Sequence, residues 1–272
     1  VRSPDKVVED LWYLMDRYNT RYFSGADEAI PPKYFERLSN CIIESGINVR
    51  WLAHARAEKG FTEHLCRKMY RSGCRMLLFG IESGSQKILD LMDKGSHVNK
   101  TRKILKACRD AGIWNHVFLF FGFPGEREED AEKTLQFVGE NKSVINSVGC
   151  TTFLLGKYSR VCRERRFNVT ICENEEEDMA IWYDYTVGEG LTREDASRMR
   201  ENLQKKLHDL YPNQSVLELI CREHLLQLLD CSDFTGKSGE KPSIDRNFVP
   251  YISRGIGFKK VHHDFISFIE GK

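Results

Sequence analysis

An α/β fold with a parallel sheet is predicted by three observations. Short apolar runs alternate with segments of helical periodicity, helices end on a glycine just before the next run, and runs such as Val117 to Phe121 are apolar without a polar alternate. The alternation implies right-handed crossovers between parallel strands, and the continuous apolar runs imply strands covered on both faces. A barrel and an open doubly wound sheet both satisfy this pattern.

The elements follow in order. Ser3-Pro4 reads as an N-cap with proline at the first helical position, and Val7, Val8, Leu11, Leu14, Met15 and Tyr18 continue at helical spacing. The short run "RYFSGA" ends at Asp27-Glu28. Pro31-Pro32 opens a second helix, striped by Tyr34, Phe35, Leu38, Cys41 and Ile42 and closed by Gly46. "NVRWLAHAR" is a strand followed by a helix from Thr62 to Ser72, closed by Gly73. "RMLLFGI" is a strand followed by helical segments to Ala111, closed by Gly112. "HVFLFFGF" is a strand followed by a helix from about Arg127 to Glu140, and "SVGCTTFLL" is the next strand.

The rhythm changes after residue 155. An acidic run, Glu175 to Asp178, reads as a solvated helix start. A helix capped at Thr192 runs to Pro212, and another near Ser215 to Leu229 carries Val216, Leu219, Ile220, Leu225, Leu226 and Leu229. "GKSGEKPS" reads as an exposed loop. Two units are therefore expected: an α/β body over 1–155 and a mostly helical extension over 156–272.

Composition excludes several function classes. The 41 basic and 40 acidic side chains leave a net charge of +1, so no overall field attracts nucleic acid or an anionic membrane. No run approaches the roughly 18 apolar residues of a membrane span, and the start lacks a signal-peptide core. The nine cysteines contain no CxxC pair, which argues against a disulfide framework or zinc ribbon and fits a reducing, cytoplasmic setting. Most read as small buried apolar residues. His262-His263 has no third ligand at a useful spacing. The chain opens "VRSPDKVVEDLWYLM", without Met, and reads as truncated.

Sites in parallel α/β folds gather at the carboxyl ends of strands. Those ends deliver Asp27 and Glu28, then His54 and Arg56 on one face, then Glu82 and Ser83 among glycines, then Gly122-Phe123-Pro124-Gly125-Glu126. Asp27 and Glu28 read equally as charges before the helix at Pro31, and His54 as a satisfied barrel residue. "FPGE" reads as a type II turn. In "GIESGS", Ser83 or Ser85 can cap the next helix. A cap leaves Glu82 unexplained: its carboxylate calls for a donor, either a ligand ammonium or ribose hydroxyl, or Arg56 across the mouth.

Taken in order, these ends resemble the radical S-adenosylmethionine superfamily, and most closely its members with an upstream cobalamin-binding domain. "YFSGADEAI", "NVRWLAHAR", "RMLLFGIESGSQKILDLMDKG", "HVFLFFGFPGE" and "CTTFLLGKYS" look like that family's second to sixth strands, and "RSPDKVVEDL" like the helix after its cluster loop. The likeness covers roughly 1 to 160 and continues loosely through "EEEDMAIWYDYTVGEGLT". It implies a partial (β/α) TIM-like barrel, lacking its first strand here, whose mouth holds a 4Fe–4S cluster and S-adenosylmethionine. The cluster cleaves that nucleoside to a 5′-deoxyadenosyl radical. By the same resemblance, Asp27 and Glu28 lie near the methionine amino group, Arg56, Glu82 and Ser83 near ribose and carboxylate, and Gly122, Pro124 and Gly125 along the adenine.

One departure stands out. None of the cysteines has the family's CxxxCxxC spacing. The cluster ligands are therefore expected upstream of Val1, with cobalamin a candidate further cofactor on an upstream domain. The resemblance implies the body of an enzyme acting on an unnamed small molecule by radical formation or methyl transfer, inactive in this form. The competing readings are a clusterless nucleoside-binding or scaffold barrel, and a hydrolase pairing Glu28 with Glu82.

Overall fold

Five parallel strands lie in strict sequential order: β1 (Tyr22–Ser24), β2 (Arg50–Ala55), β3 (Cys74–Glu82), β4 (Trp114–Phe121) and β5 (Ser147–Thr152). A doubly wound sheet reverses its order at a switch point, and this one does not. The computed structural model describes residues 2–27, 30–172, 181–211 and Leu226. Glu28, the Glu175 to Asp178 run, the helix expected near Ser215 to Leu229, the loop "GKSGEKPS" and His262-His263 lie outside the described residues, Leu226 excepted.

The connecting helices are α1 (Pro4–Tyr18), α2 (Pro32–Ser45), α3 (Glu63–Arg71), α4 (Gln86–Leu91), α5 (Val98–Asp110) and α6 (Glu128–Glu140). Their ends follow from local chemistry. The Ser3 hydroxyl accepts from the Lys6 N–H with Pro4 at the first position, Thr62 accepts from Leu65 N–H, and Gly46 ends α2 in the left-handed conformation.

Helices cover one face of the sheet. Leu77, Phe79, Val117, Leu119, Phe121 and Val148 point into the helix layer and join Phe35, Leu105 and Val138 there. Burying each such side chain contributes about 1.5–3 kcal/mol. The alternate residues Leu52, Met76, Leu78 and Trp114 form a separate apolar lining on the other face, closed by Leu226. A sequential sheet with α1 to α6 on one side is a curled half-barrel, and this second lining is its lumen. The expectation of strands sealed on both faces needs correction for β4: Phe118 and Phe120 are only half-buried, because they face the open side.

The chain past β5 contains β6 (Leu155–Gly156), α7 (Arg160–Arg163), a 3₁₀ turn (Arg165–Phe167), β7 (Val169–Cys172), β8 (Trp182–Val187) and α8 (Arg193–Leu210). Helix α8 starts at Thr192 with a capping box to Asp195, as expected. In addition, β6, β8 and β7 form a three-stranded antiparallel sheet that helical expectation did not foresee. This sheet joins the half-barrel through one apolar cluster, in which Phe123 contacts Phe153 and Phe167 edge-on and Phe153 meets Tyr185. Among the described residues no helix is long and apolar enough to cross a membrane.

Candidate functional site

Strand β3 ends in a strained turn. Glu82 sits at φ +70°, and Ser83 N–H donates to the Ile81 carbonyl at 2.9 Å, closing a three-residue turn on Glu82. The β3–β4 register slips at the same place, between Gly80 and Glu82. A bulky acidic residue in that backbone region is uncommon and costs of order 1–3 kcal/mol, and such costs cluster at functional sites. The turn lays the Glu82 carboxylate across Gly80: a Cβ on Gly80 would stand 2.6 Å from Glu82 Oε1.

The partner of Glu82 is Lys94, whose Nζ lies 2.6 Å from Oε1, each side chain about one-fifth exposed. Lys94 belongs to the loop between α4 and α5, and Arg56, just past β2, donates through Nη2 to the Lys94 carbonyl at 2.6 Å. Arg56 and Glu82 are thus brought to one place, but the expected direct pair is replaced by a chain with Lys94 in the middle. Sequence reasoning missed Lys94. It occupies no strand end, and a basic residue before Gly95 reads as an ordinary charge at a helix C-terminus.

Ser83 faces the other way. It is fully buried, its Oγ is 3.1 Å from Thr134 Oγ1 on α6, and it accepts from Ser85 N–H. Its hydroxyl is therefore committed to the helix layer and not presented to the mouth. Neither serine caps α4 by its side chain: Ser85 occupies the N-cap position, but its hydroxyl donates to Asp130 at 2.8 Å. Asp130 also takes Lys87 Nζ at 2.7 Å. Burial opposes its charge, but the bonds from Lys87, Ser85 and the Arg127 N–H outweigh burial and hold its carboxyl at about 2. Helix α6 comes this close because residue 84 is glycine: a Cβ there would sit 2.7 Å from the Lys133 carbonyl and Phe137 Cβ.

The turn after β4 is the expected type II turn, with Glu126 N–H on the Phe123 carbonyl at 2.8 Å and Gly125 at φ +88°. Gly122 and Pro124 are buried and Gly125 is half-buried. The reason is the chain past β8: Gly125 N–H donates to the Glu189 carbonyl, and Leu191 N–H to the Glu126 carbonyl. The Glu126 side chain folds back beneath the turn and accepts from Gly122 N–H at 2.5 Å. Burial pushes its carboxyl up to about 7, against the two backbone N–H groups that favour its charge. Its Oε1 has no hydrogen-bond partner among the described residues.

Asp27 is exposed at the carboxyl end of β1, with Tyr34 within its electrostatic reach. His54 lies on the lumen side of β2, its ring stacked on Phe118 at 6.0 Å.

The described cysteines do not fit an iron–sulfur cluster. Cys66 and Cys108 touch, Sγ to Sγ at 3.5 Å, but in the buried helix layer and away from the mouth. Burial raises the thiols of Cys74 and Cys150, the latter to about 12, which opposes the thiolate a metal requires. No group of three metal-ligating side chains occurs among the described residues. The Arg56–Lys94–Glu82 chain sets a cation and a carboxylate side by side at a strand-end mouth.

Comparison with known proteins agrees with this fold. Over 137 residues the chain is 28% identical to an uncharacterized methyltransferase of Pyrococcus horikoshii, covering 50% of this chain and 30% of that protein. Over 139 residues it is 27% identical to the anaerobic magnesium-protoporphyrin IX monomethyl ester cyclase of Cereibacter sphaeroides, covering 49% and 23%. The match thus spans under a third of either relative's length. Among solved structures, the cobalamin-dependent S-adenosylmethionine radical enzyme OxsB with aqua-cobalamin bound superposes with a TM-score of 0.58 at 15% identity, over 98% of this chain and 47% of that one. Coproporphyrinogen III oxidase of Escherichia coli, described as a radical SAM enzyme, superposes at 0.51 with 10% identity, over 76% and 46%. At such identities these structures speak for the fold. Residues 1–138 match the Radical SAM superfamily, half of the chain, and the protein belongs to that superfamily.

Proposed function

We propose that this half-barrel is the nucleoside-holding body of a radical S-adenosylmethionine enzyme and that its mouth binds S-adenosylmethionine. The observation that carries this reading is the Arg56–Lys94–Glu82 chain. Lys94 offers its ammonium to the ligand's carboxylate, and Glu82, released from Lys94, accepts from a ribose hydroxyl. Arg56 holds the loop that carries Lys94. Asp27, with Glu28, supplies acceptors for the amino group. The backbone of Gly122 to Gly125 stands along the adenine, and Ser83 contributes through its backbone, since its hydroxyl serves α6.

A 4Fe–4S cluster supplies the electron that cleaves the nucleoside in this superfamily. The described cysteines of this chain do not fit one, and in this reading the cluster's ligands lie outside the described residues. The name of the first relative favours methyl transfer for the whole protein, and a cobalamin-bearing partner domain accords with the solved relative that contains aqua-cobalamin. The substrate is a small molecule, and the setting is the cytoplasm. The body over 1–155 and the extension over 156–272 act as separate parts of this machine.

The test is equilibrium dialysis of the chain against S-adenosylhomocysteine. Charge-assisted hydrogen bonds contribute about 1.5–3 kcal/mol each, so binding weakens by roughly tenfold or more in Glu82→Ala and in Lys94→Ala. Absence of binding by the unaltered chain overturns the reading.

A further inference from the structure

The loop that carries Lys94 ends α4 in a Schellman motif. Lys94 N–H donates to the Leu89 carbonyl and Asp93 N–H to the Asp90 carbonyl, both at 3.0 Å. In that motif the residue after the C-cap takes the left-handed conformation, and glycine is its usual occupant because any Cβ is penalised there. Here the position holds Asp93, at φ +53°. An aspartate in place of glycine calls for a compensating use of its carboxylate.

That use lies on the chain past β6. Asp93 Oδ2 is 3.0 Å from Arg160 Nη1 on α7 and 2.8 Å from Arg166 Nη2 in the 3₁₀ turn. Glu164 braces both arginines from the opposite side, at 2.6 Å from each Nε. The Arg166 guanidinium also rests over the buried Phe167 ring at 4.5 Å. Isolated surface pairs hold little free energy, whereas a network of four charges with one stacked member restrains geometry. Asp93 is thus held on the side of the extension, while the next residue, Lys94, reaches Glu82.

We propose that Asp93, Arg160 and Arg166 are positioning residues through which the chain past β6 sets the mouth's grip on the amino-acid end of its nucleoside ligand. The inference rests on the reading of the mouth given above, and it deepens that reading into a specificity. Lys94 addresses a carboxylate, so the tether acts on ligands that carry one. It is indifferent to the same nucleoside without the amino-acid end.

Asp93→Gly is the informative variant, because glycine suits the left-handed position and keeps the loop folded. Its affinity is measured for S-adenosylhomocysteine and for 5′-methylthioadenosine, which lacks the amino and carboxylate groups. The expected result is a loss of about threefold to tenfold for the first, no change for the second, and an unchanged melting temperature. Arg160→Ala with Arg166→Ala reproduces this pattern, and Arg166→Lys restores part of the loss. Equal affinity of Asp93→Gly and the unaltered chain for S-adenosylhomocysteine overturns the inference, as does an equal loss for both nucleosides, which marks a merely structural role. If the unaltered chain binds neither compound, the reading of the mouth falls and this inference falls with it.

Discussion

Lys94 lies twelve residues after Glu82 in the chain, yet its Nζ is 2.6 Å from Glu82 Oε1, across a backbone turn in which Glu82 itself is strained. A protein selected for stability alone would place glycine at position 82. Glu82→Gly is therefore expected to raise stability by roughly 0–2 kcal/mol, since the left-handed conformation penalises a side chain by about 1–2 kcal/mol and a partly exposed ion pair returns at most about 1 kcal/mol. The same variant is expected to weaken S-adenosylhomocysteine binding by roughly tenfold or more, as Glu82→Ala does. Urea denaturation and equilibrium dialysis on one preparation check both halves.

Gly84 faces backbone on α6. A methyl group there meets the Lys133 carbonyl and Phe137 Cβ at 2.7 Å and Thr134 Cα at 2.8 Å. Gly84→Ala is expected to destabilise by about 1–3 kcal/mol through overpacking, read as a lowered urea midpoint at unchanged slope.

Glu126 confers a pH dependence of defined sign. Its carboxyl rises from an ordinary 4.5 to about 7 on folding, so the folded chain binds the proton more tightly than the unfolded one. The corresponding stability is complete below pH 4.5, declines above it and is lost as pH passes about 7. Glu126→Gln is expected to remove this segment of the stability–pH curve, measured by denaturation between pH 5 and 8.

Asp130 behaves in the opposite sense. Held at about 2 by Lys87, Ser85 and the Arg127 N–H against burial, it stabilises above its ordinary 3.8 and loses that contribution as pH falls towards 2. Asp130→Ala leaves the buried Ser85 hydroxyl without its acceptor and is expected to cost about 2–4 kcal/mol at neutral pH. The loss shrinks in thermal melts at acid pH.

Much of the fold was legible because its signals are local. Ser3-Pro4, Gly46, Thr62 and Thr192 each mark a helix end by chemistry confined to three or four residues, and the strands of the parallel sheet announce themselves by apolar content. The antiparallel sheet does not: β6 has two residues, and β7 meets β8 only across an acidic stretch that masks their continuity. In the site, Glu82 and Arg56 were found because they stand at strand ends. Ser83 keeps the two-residue alternation of Leu77, Phe79 and Ile81, which all face the helix layer, so its hydroxyl goes to Thr134, whereas Glu82 shares the lumen side with Met76 and Leu78. Lys94 was missed because its relation to Glu82 exists only in three dimensions.

Helix α8 lies against β4 and β5, with Ala196 so near Gly122 that a Cβ on the glycine would stand 2.7 Å from it. The outer face of the last two strands is thus roofed by residues made some fifty positions after β5 ends. During synthesis, the apolar surface of β4 and β5 emerges early and waits for that roof, and long-range closures of this kind are slow and prone to association. The nascent half-barrel accordingly keeps an uncovered apolar face until Leu210 has cleared the ribosome.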